Sequence, residues 1–539
     1  MHCPIDTIAA ITDSFLLKIN MNFLRVLASV SGFTLLSRIT GLVREMLVAS
    51  IFGAGATTDA FFVAFRIPNL LRRLFAEGAF SQAFIPVLGQ SKATHGDDAT
   101  KILVDRTATL LFWVVTLITI LGIVGVSGVM WVMAGTMQVG SERYEYTRVM
   151  TQIMFPYIIF MSLIALSSGI LNTWKNFSTP AFTPVLLNIA MISASIFLAP
   201  HFNPPIYALT AGVIAGGILQ LAWQIPALKR IGMLPKISFN FVQAARDPNV
   251  RKILKLMLPA TLAVSVAQIS LIINTNWAAS LGNGAVSWIS YADRLMEFPT
   301  GMLGVALGTI LLPSLTRAHS SNDHAEYERL LHWGLRLTLL LALPAAVGLG
   351  VLAIPLTSTL FQHGRFTAVD VQKTAQALSM YSIGLVGLIS VKILASAYYA
   401  KQDIVTPVLI GIGVLVSTQL MNLLFVPYLQ HAGLSLSIGL GACLNAAILV
   451  FLLGRRGVLG SWGPWLRFIT QVIVAVVLMG VVAYFASHQI DWLSHSGHSA
   501  MLKRVAWLAG IIVLSAVSYF AILFAMGFRM RDFRLVSHA

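Results

Sequence analysis

Residues 37–86 read SRITGLVREMLVASIFGAGATTDAFFVAFRIPNLLRRLFAEGAFSQAFIP, and this stretch decides the fold. It consists of two apolar segments joined by the small turn at residues 52–55, yet it holds five arginines and three acids. A charged side chain at bilayer depth costs roughly 2.5–3.5 kcal/mol, so these groups cannot all face lipid. The stretch therefore predicts two transmembrane helices that border a cationic, water-filled cavity. Its charged residues are Arg38, Arg44, Glu45, Asp59, Arg66, Arg72, Arg73 and Glu77.

The composition of the whole chain is that of a polytopic membrane protein. Hydrophobic residues make up 57% of the 539 residues and charged residues only 10%, whereas soluble domains have about 25% charged residues. The net charge is +16, from 36 Lys and Arg against 20 Asp and Glu. We place this excess in cytoplasmic loops, where basic residues accumulate in membrane proteins.

Apolar segments of about 20 residues, the length that crosses a bilayer, recur along the chain. An even number of spans, with the basic loops on one side, predicts that both termini are cytoplasmic. We expect fourteen transmembrane helices, at residues 23–52, 57–88, 103–135, 147–172, 181–200, 206–227, 254–281, 285–315, 332–361, 375–400, 405–426, 432–454, 465–487 and 503–527.

A weak internal repeat relates ASIFGAGATTDAFFVAFR, which begins at Ala49, to ASLGNGAVSWISYADR, which begins at Ala279. Both read as a helix end, a small-residue turn and a second helix with an acid and an arginine, and duplicated halves are common in transporters. The expected fold is all-α, with two pseudo-related six-helix lobes plus two C-terminal helices. The predicted parts are an N-terminal extension that is either non-conforming or disordered (1–20), a first lobe (21–230), a basic cytoplasmic linker (231–253), a second lobe (254–456), two additional spans (465–527) and a basic cytoplasmic tail (528–539).

Several long blocks carry a specific resemblance. They are FGAGATTDAFFVAFRIPNLLRRLFAEGAFSQAFIPVL, ILNTWKNFSTPAFTPVLLN, SWISYADRLMEFPTGMLGVALGTILLPSL and HAGLSLSIGLGACLNA. From residue 21 to about residue 534 the chain resembles the MurJ/MviN lipid II flippase family of the multidrug/oligosaccharidyl-lipid/polysaccharide exporter superfamily. The resemblance implies two six-helix lobes with two extra helices that frame a groove for a lipid tail.

The resemblance also implies a substrate and residues that handle it. Lipid II carries a diphosphate, which cannot enter hydrocarbon without replacement hydrogen-bond donors. Arginine supplies five donors and a permanent charge. The family places substrate-binding arginines at the positions of Arg38, Arg44, Arg72 and Arg294, and the gating or charge-pairing residues are Asp59, Glu77, Asp293 and Glu297. Arg294 has acids nearby to hold it when no substrate is present.

Structural explanations of the same residues stay open. A buried arginine with an acidic partner is often only a pair that specifies the fold, which applies to Arg44 beside Glu45 and to Arg73, four residues before Glu77. Asp59 either caps its own helix or gates the two lobes. Amides inside spans are expected to bond across helices; they are Asn172, Asn188, Gln268, Asn274 and Asn422.

The sequence argues against an enzyme, since it contains no Walker A loop, GxSxG or HExxH motif. Two alternative functions stay open. One is a flippase for another polyprenyl-diphosphate-linked oligosaccharide, and the other is a cation-coupled multidrug exporter of the same superfamily. The arginine excess in residues 37–86 favours an anionic cargo. We expect no cofactor, metal or nucleic acid. The expected protein is a monomer in the bacterial inner membrane, with lipid II, membrane lipids and cell-wall synthesis proteins as partners.

Overall fold

The computed structural model of the protein describes residues 5–75, 79–458, 463–493 and 498–529, and its regular elements in these ranges are all helices. A π-helical turn at Ala194–Leu198 and a 3₁₀ turn at Ala199–His201 follow α7. The α-helices are α1 (Ile5–Phe52), α2 (Ala56–Phe75), α3 (Ala79–Val124), α4 (Val126–Ala134), α5 (Glu142–Met154), α6 (Tyr157–Thr173), α7 (Ser178–Ser193), α8 (Tyr207–Arg230), α9 (Phe241–Arg246), α10 (Pro248–Ser280), α11 (Ala285–Ser320), α12 (His324–Val351), α13 (Ala353–Phe361), α14 (Ala368–Ser382), α15 (Leu385–Ala400), α16 (Val405–Leu429), α17 (His431–Arg455), α18 (Gly463–His488) and α19 (His498–Ala525).

Every predicted span overlaps one or more of these helices, so the all-α membrane fold is confirmed. In the described ranges, eight helices are long and apolar enough to cross a bilayer, or ten if each bent pair is one span. The bent pairs are α5 with α6, at 42°, and α14 with α15, at 43°. The number of fourteen spans stays a prediction.

The first helix begins earlier than the sequence predicted. α1 starts at Ile5, whereas the first predicted span began at residue 23. Residues 5–20 contain neither glycine nor proline, so nothing in them ends a helix. Helix α3, in contrast, is broken at Gly96, where a φ of 77° produces a kink between two helical segments. This break separates the second and third predicted spans.

Contacts divide the chain into two units. The first contains residues up to 47, 63–130 and 145–265, and the second contains residues 48–62, 131–144 and those from 266 onward. In the first unit α3, α6 and α8 pack around Phe84, Leu166 and other buried residues.

The core of the second unit lies among α11, α12, α15 and α18. Helices α18 and α19 belong to this unit, and the Tyr519 hydroxyl of α19 donates to the Leu340 carbonyl of α12 over 2.7 Å. The two last helices are therefore fastened to α12 by a polar contact as well as by apolar packing.

The basic linker is packed against α3. Trp113 Nε1 donates to the Ser238 carbonyl (2.8 Å), and Arg106 forms an ion pair with Asp247. Burial raises the pKa of the Asp247 carboxyl, but the hydrogen bond from Arg106 and those from the amides of Val250 and Asn249 outweigh burial and lower it below its ordinary value. The charged form of this acid therefore stabilises the docked linker.

Candidate functional site

Asp59 lies in the first turn of α2 and is completely buried. Its carboxylate accepts hydrogen bonds from Gly284 N (2.7 Å), Ser287 N (2.8 Å) and Ser287 Oγ (2.6 Å). These two amides belong to the N-terminus of α11, whose free N–H groups attract negative charge. Asp59 therefore caps α11 and not its own helix, which corrects the simpler of the two explanations drawn from the sequence. Its role as a gate stays a prediction.

Arg143 completes this arrangement, although only its charge distinguishes it in the sequence. Its guanidinium donates to the carbonyls of Gly282 (2.7 Å) and Ala279 (2.6 Å), at the C-terminal end of α10. Its Nη1 lies 3.8 Å from Asp59 Oδ2. A cation at a helix C-terminus and an anion at a helix N-terminus are both favourable. We call Asp59 and Arg143 the α10–α11 clamp, because together they hold the turn between those helices.

The turn between α1 and α2 packs beside residues 361–366 of the same unit. Gly53 adopts a φ of 73°, and a Cβ there would lie 2.9 Å from the Arg365 carbonyl oxygen. The Arg365 amide donates to the Ser50 carbonyl over 2.8 Å. The turn therefore requires glycine at position 53 for both its backbone conformation and this close approach.

Arg44 is buried and fully engaged. Its guanidinium forms an ion pair with Glu45 and donates to Asn188 Oδ1 on α7 over 2.9 Å. Each of these three residues is at most 7% exposed. The pairing of Arg44 with Glu45 is the structural alternative anticipated above, and substrate binding by Arg44 stays a prediction.

Asn188 also fixes α1 on either side of Arg38. Its Nδ2 donates to the Ser37 carbonyl and to Thr40 Oγ1, each over 3.0 Å. Arg38 itself is half-buried, and it forms no ion pair with any described residue. The guanidinium of Arg38 is therefore available to an anion, whereas that of Arg44 is already bound.

Arg294, on α11, has the acidic partner that the sequence anticipated. Its Nη1 donates to Glu297 Oε2 over 2.8 Å, and the two side chains are 34% and 44% exposed. Asp293 is half-buried beside it. A pair this exposed is weak, so an anion of higher charge can displace Glu297.

The structure describes the remaining predicted site residues only in part. Arg72 and Arg73 are on α2, but their side chains fall outside the described residues, as does Glu77 altogether. The proposed pair of Arg73 with Glu77 therefore stays a prediction. In the described ranges, no group of three His, Cys, Asp or Glu side chains is arranged to hold a metal ion.

The prediction that amides bond across helices is confirmed at two places. One is Asn188, between α7 and α1, as described above. The other is on α10 and α16, where Asn422 Nδ2 donates to Asn274 Oδ1 (3.1 Å) and to Gln419 Oε1 (3.1 Å). These contacts satisfy polar groups that would be costly in hydrocarbon.

Comparison with known proteins identifies the family. The family model described as lipid II flippase MurJ matches residues 48–502. A lipid II flippase MurJ of Burkholderia cenocepacia is 54% identical over 514 residues, which cover 95% of this chain and 99% of that protein. The chain belongs to the lipid II flippase MurJ family. Members of this family are transporters and not enzymes, and the chain is accordingly a multi-pass protein of the bacterial inner membrane.

Solved structures agree with this family at the level of the fold. A lipid II flippase MurJ in an inward closed conformation superposes with a TM-score of 0.76, at 23% identity, over 92% of this chain and 98% of that one. An inward-facing multidrug resistance MATE transporter of the MOP superfamily gives a TM-score of 0.64, at 16% identity, over 78% and 94%. The chain therefore shares its fold with both of these solved structures.

Proposed function

We propose that this chain moves lipid II from the cytoplasmic to the periplasmic leaflet by alternating access. The observation that carries the proposal is the family match, together with a relative named lipid II flippase that is 54% identical across 95% of the chain. In this proposal both termini are cytoplasmic, the protein acts as a monomer, and the lipid tail lies along the groove framed by α18 and α19. Cell-wall synthesis proteins are its further partners.

The diphosphate is bound by Arg38, Arg44, Arg72 and Arg294. Two features support this assignment. Arg38 is half-buried without an ionic partner among the described residues, and the ion pair of Arg294 with Glu297 is between side chains that are 34% and 44% exposed. A diphosphate carries more charge than a carboxylate and accepts several donors at once, so it competes well for an exposed guanidinium. Arg44 is less accessible, and its contact with substrate requires exchange of Glu45.

The α10–α11 clamp supports a gating role for Asp59. Alternating access requires contacts that hold one state and release in another. The three hydrogen bonds that the Asp59 carboxylate accepts from the start of α11 stabilise one conformation of the turn before α11. Loss of those bonds would free the turn. Glu77, Asp293 and Glu297 take the charge-pairing roles, by binding arginines when no substrate is present.

Rescue of a bacterium depleted of its own lipid II flippase tests the proposal. The unaltered chain should restore growth and the appearance of lipid II in the outer leaflet. Arg38→Ala, Arg72→Ala and Arg294→Ala should each fail at equal protein levels. Arg455→Ala is the matched control, because Arg455 is an exposed arginine at the end of α17 that lies over the Phe451 ring and forms no ion pair with a described residue.

The outcomes separate the function from the site. Failure of the unaltered chain to rescue would refute the lipid II assignment and favour another polyprenyl-diphosphate cargo or a drug. Full rescue by all three alanine variants would refute the diphosphate role alone. Lysine at the same positions should rescue if charge suffices, and poorly if the planar two-donor geometry of arginine is required.

A further inference from the structure

A cavity of about 500 Å³ lies in the second unit, where the start of α12, the start of α18 and the end of α19 meet. Its volume is typical of a small-molecule site. The wall contains two arginines, Arg329 and Arg336, and one acid, Glu328. Phe468 and Phe528 contribute aromatic surface. The cavity therefore combines positive charge with an apolar lining at the ends of three membrane helices.

Arg336 is the residue whose environment calls for a ligand. Its guanidinium carbon lies 5.4 Å from the ring centre of Trp465 and 5.7 Å from that of Phe468. Its Nε is buried and has no acceptor among the described residues. Cation–π contacts stabilise the charge only partly, and a buried donor without an acceptor is costly. Arg336 lines the cavity and has no ion pair with a described residue, so an anion in the cavity would balance its charge.

Glu328, the acid in the cavity wall, lies against His332 and forms no ion pair with Arg336 among the described contacts. Trp465 Nε1 donates to His332 Nδ1 over 3.0 Å. Because an indole N–H only donates, Nδ1 is the acceptor and the proton of the imidazole is on Nε2. That nitrogen lies 3.5 Å from Glu328 Oε1. Arg329, at the rim, forms an ion pair with Glu326.

We propose that this cavity binds the phosphate of an anionic glycerophospholipid, with Arg336 as the principal donor. Two features favour a lipid over a free anion. The cavity lies at the ends of membrane helices, and Leu337, Leu340 and Phe468 give it an apolar wall on which an acyl chain packs. Basic pockets between transmembrane helices are a common form of lipid headgroup site. The described lining of the cavity includes none of the four arginines proposed to bind the transported diphosphate.

The test uses the full-length protein in lipid-depleted detergent micelles. Phosphatidylglycerol, phosphatidylcholine or inorganic phosphate is added, and both the melting temperature and the bound lipids seen by native mass spectrometry are recorded. A ligand that binds only the folded state raises the melting temperature. For the unaltered chain we expect phosphatidylglycerol to bind at least about tenfold more tightly than phosphatidylcholine. Both lipids offer the same phosphate to Arg336, but the choline cation of phosphatidylcholine is repelled by Arg336 and Arg329.

Two variants and one control decide the result. Arg336→Gln removes the donor, and Ala325→Trp fills the cavity from the exposed first turn of α12 while leaving Arg336 intact. Both should lose the tenfold preference and the rise in melting temperature, whereas Arg455→Gln should keep them. If Arg336→Gln does not fold, Ala325→Trp alone decides.

Three results would overturn the proposal. The first is an unchanged preference for phosphatidylglycerol in a folded variant of either kind. The second is absence of that preference in the unaltered chain. The third is an equal rise in melting temperature with inorganic phosphate, which would identify a site for free anions instead of a lipid.

Discussion

Replacing Asp59 by asparagine should release the first turn of α11. The carboxylate accepts from Gly284 N, Ser287 N and Ser287 Oγ, and asparagine has one acceptor oxygen and an NH₂ group that faces a donor. Loss of one charge-assisted bond costs about 1.5–3 kcal/mol, and loss of the charge at a helix N-terminus costs about 0.3–1 kcal/mol. The sum of about 2–4 kcal/mol corresponds to about a 30- to 1,000-fold rise in local opening.

Hydrogen exchange measures this opening directly. The amides of Gly284 and Ser287 are protected by Asp59, so their exchange should accelerate by that factor in Asp59→Asn. The matched control is Asp403→Asn, because Asp403 caps α16 by accepting from Thr406 N over 3.0 Å. That change should accelerate exchange near residue 406 and leave residues 284–287 as they were. Unchanged exchange at 284 and 287 in Asp59→Asn would show that the carboxylate does not hold the turn.

Three further changes probe other contacts. Asn188→Ala removes three hydrogen bonds and leaves Arg44 without its amide acceptor, so thermal unfolding should show a loss of about 1–3 kcal/mol; an unchanged melting temperature would argue against this contact. Gly53→Ala should destabilise by about 1–2 kcal/mol, because of its positive φ and the nearby carbonyl. Gly55→Ala, where a Cβ meets nothing within 4 Å, is the control, and equal effects would contradict the explanation. Because the pKa of Asp247 is lowered in the folded protein, the stabilisation that its carboxylate gives to the docked linker is complete above the ordinary pKa. This stabilisation is lost as the pH falls through the lowered pKa. Limited proteolysis of the linker should therefore become faster on acidification. In Asp247→Asn it should already be fast at neutral pH. A linker that stays resistant in that variant would show that the Asp247 carboxylate does not hold it.

The sequence predicted the fold class because long apolar segments have few alternatives to a membrane helix. It also placed the turn at Gly53 and the acid beside Arg294 correctly, since both depend on residues near in sequence. Breaks inside spans, such as that between α5 and α6, were missed because hydropathy is continuous across them.

The partners of the buried charges were less predictable. Asp59 bonds to residues 225 and 228 positions away, and neither partner has a side-chain charge that marks it. Arg143 could not be selected from the sequence, because its acceptors are backbone carbonyls, which every residue carries. Sequence patterns report helix faces well, but they do not report which distant helix end a charge will cap.

The contacts of Asn188 have a mechanical consequence. The side-chain amide of Asn188 donates to the Ser37 carbonyl and to the Thr40 hydroxyl, and it accepts from the Arg44 guanidinium. Sliding α1 along α7 by even one residue would break all three together. This part of α1 and α7 is therefore held as one rigid unit, and any bending of α1 has to occur elsewhere along the helix.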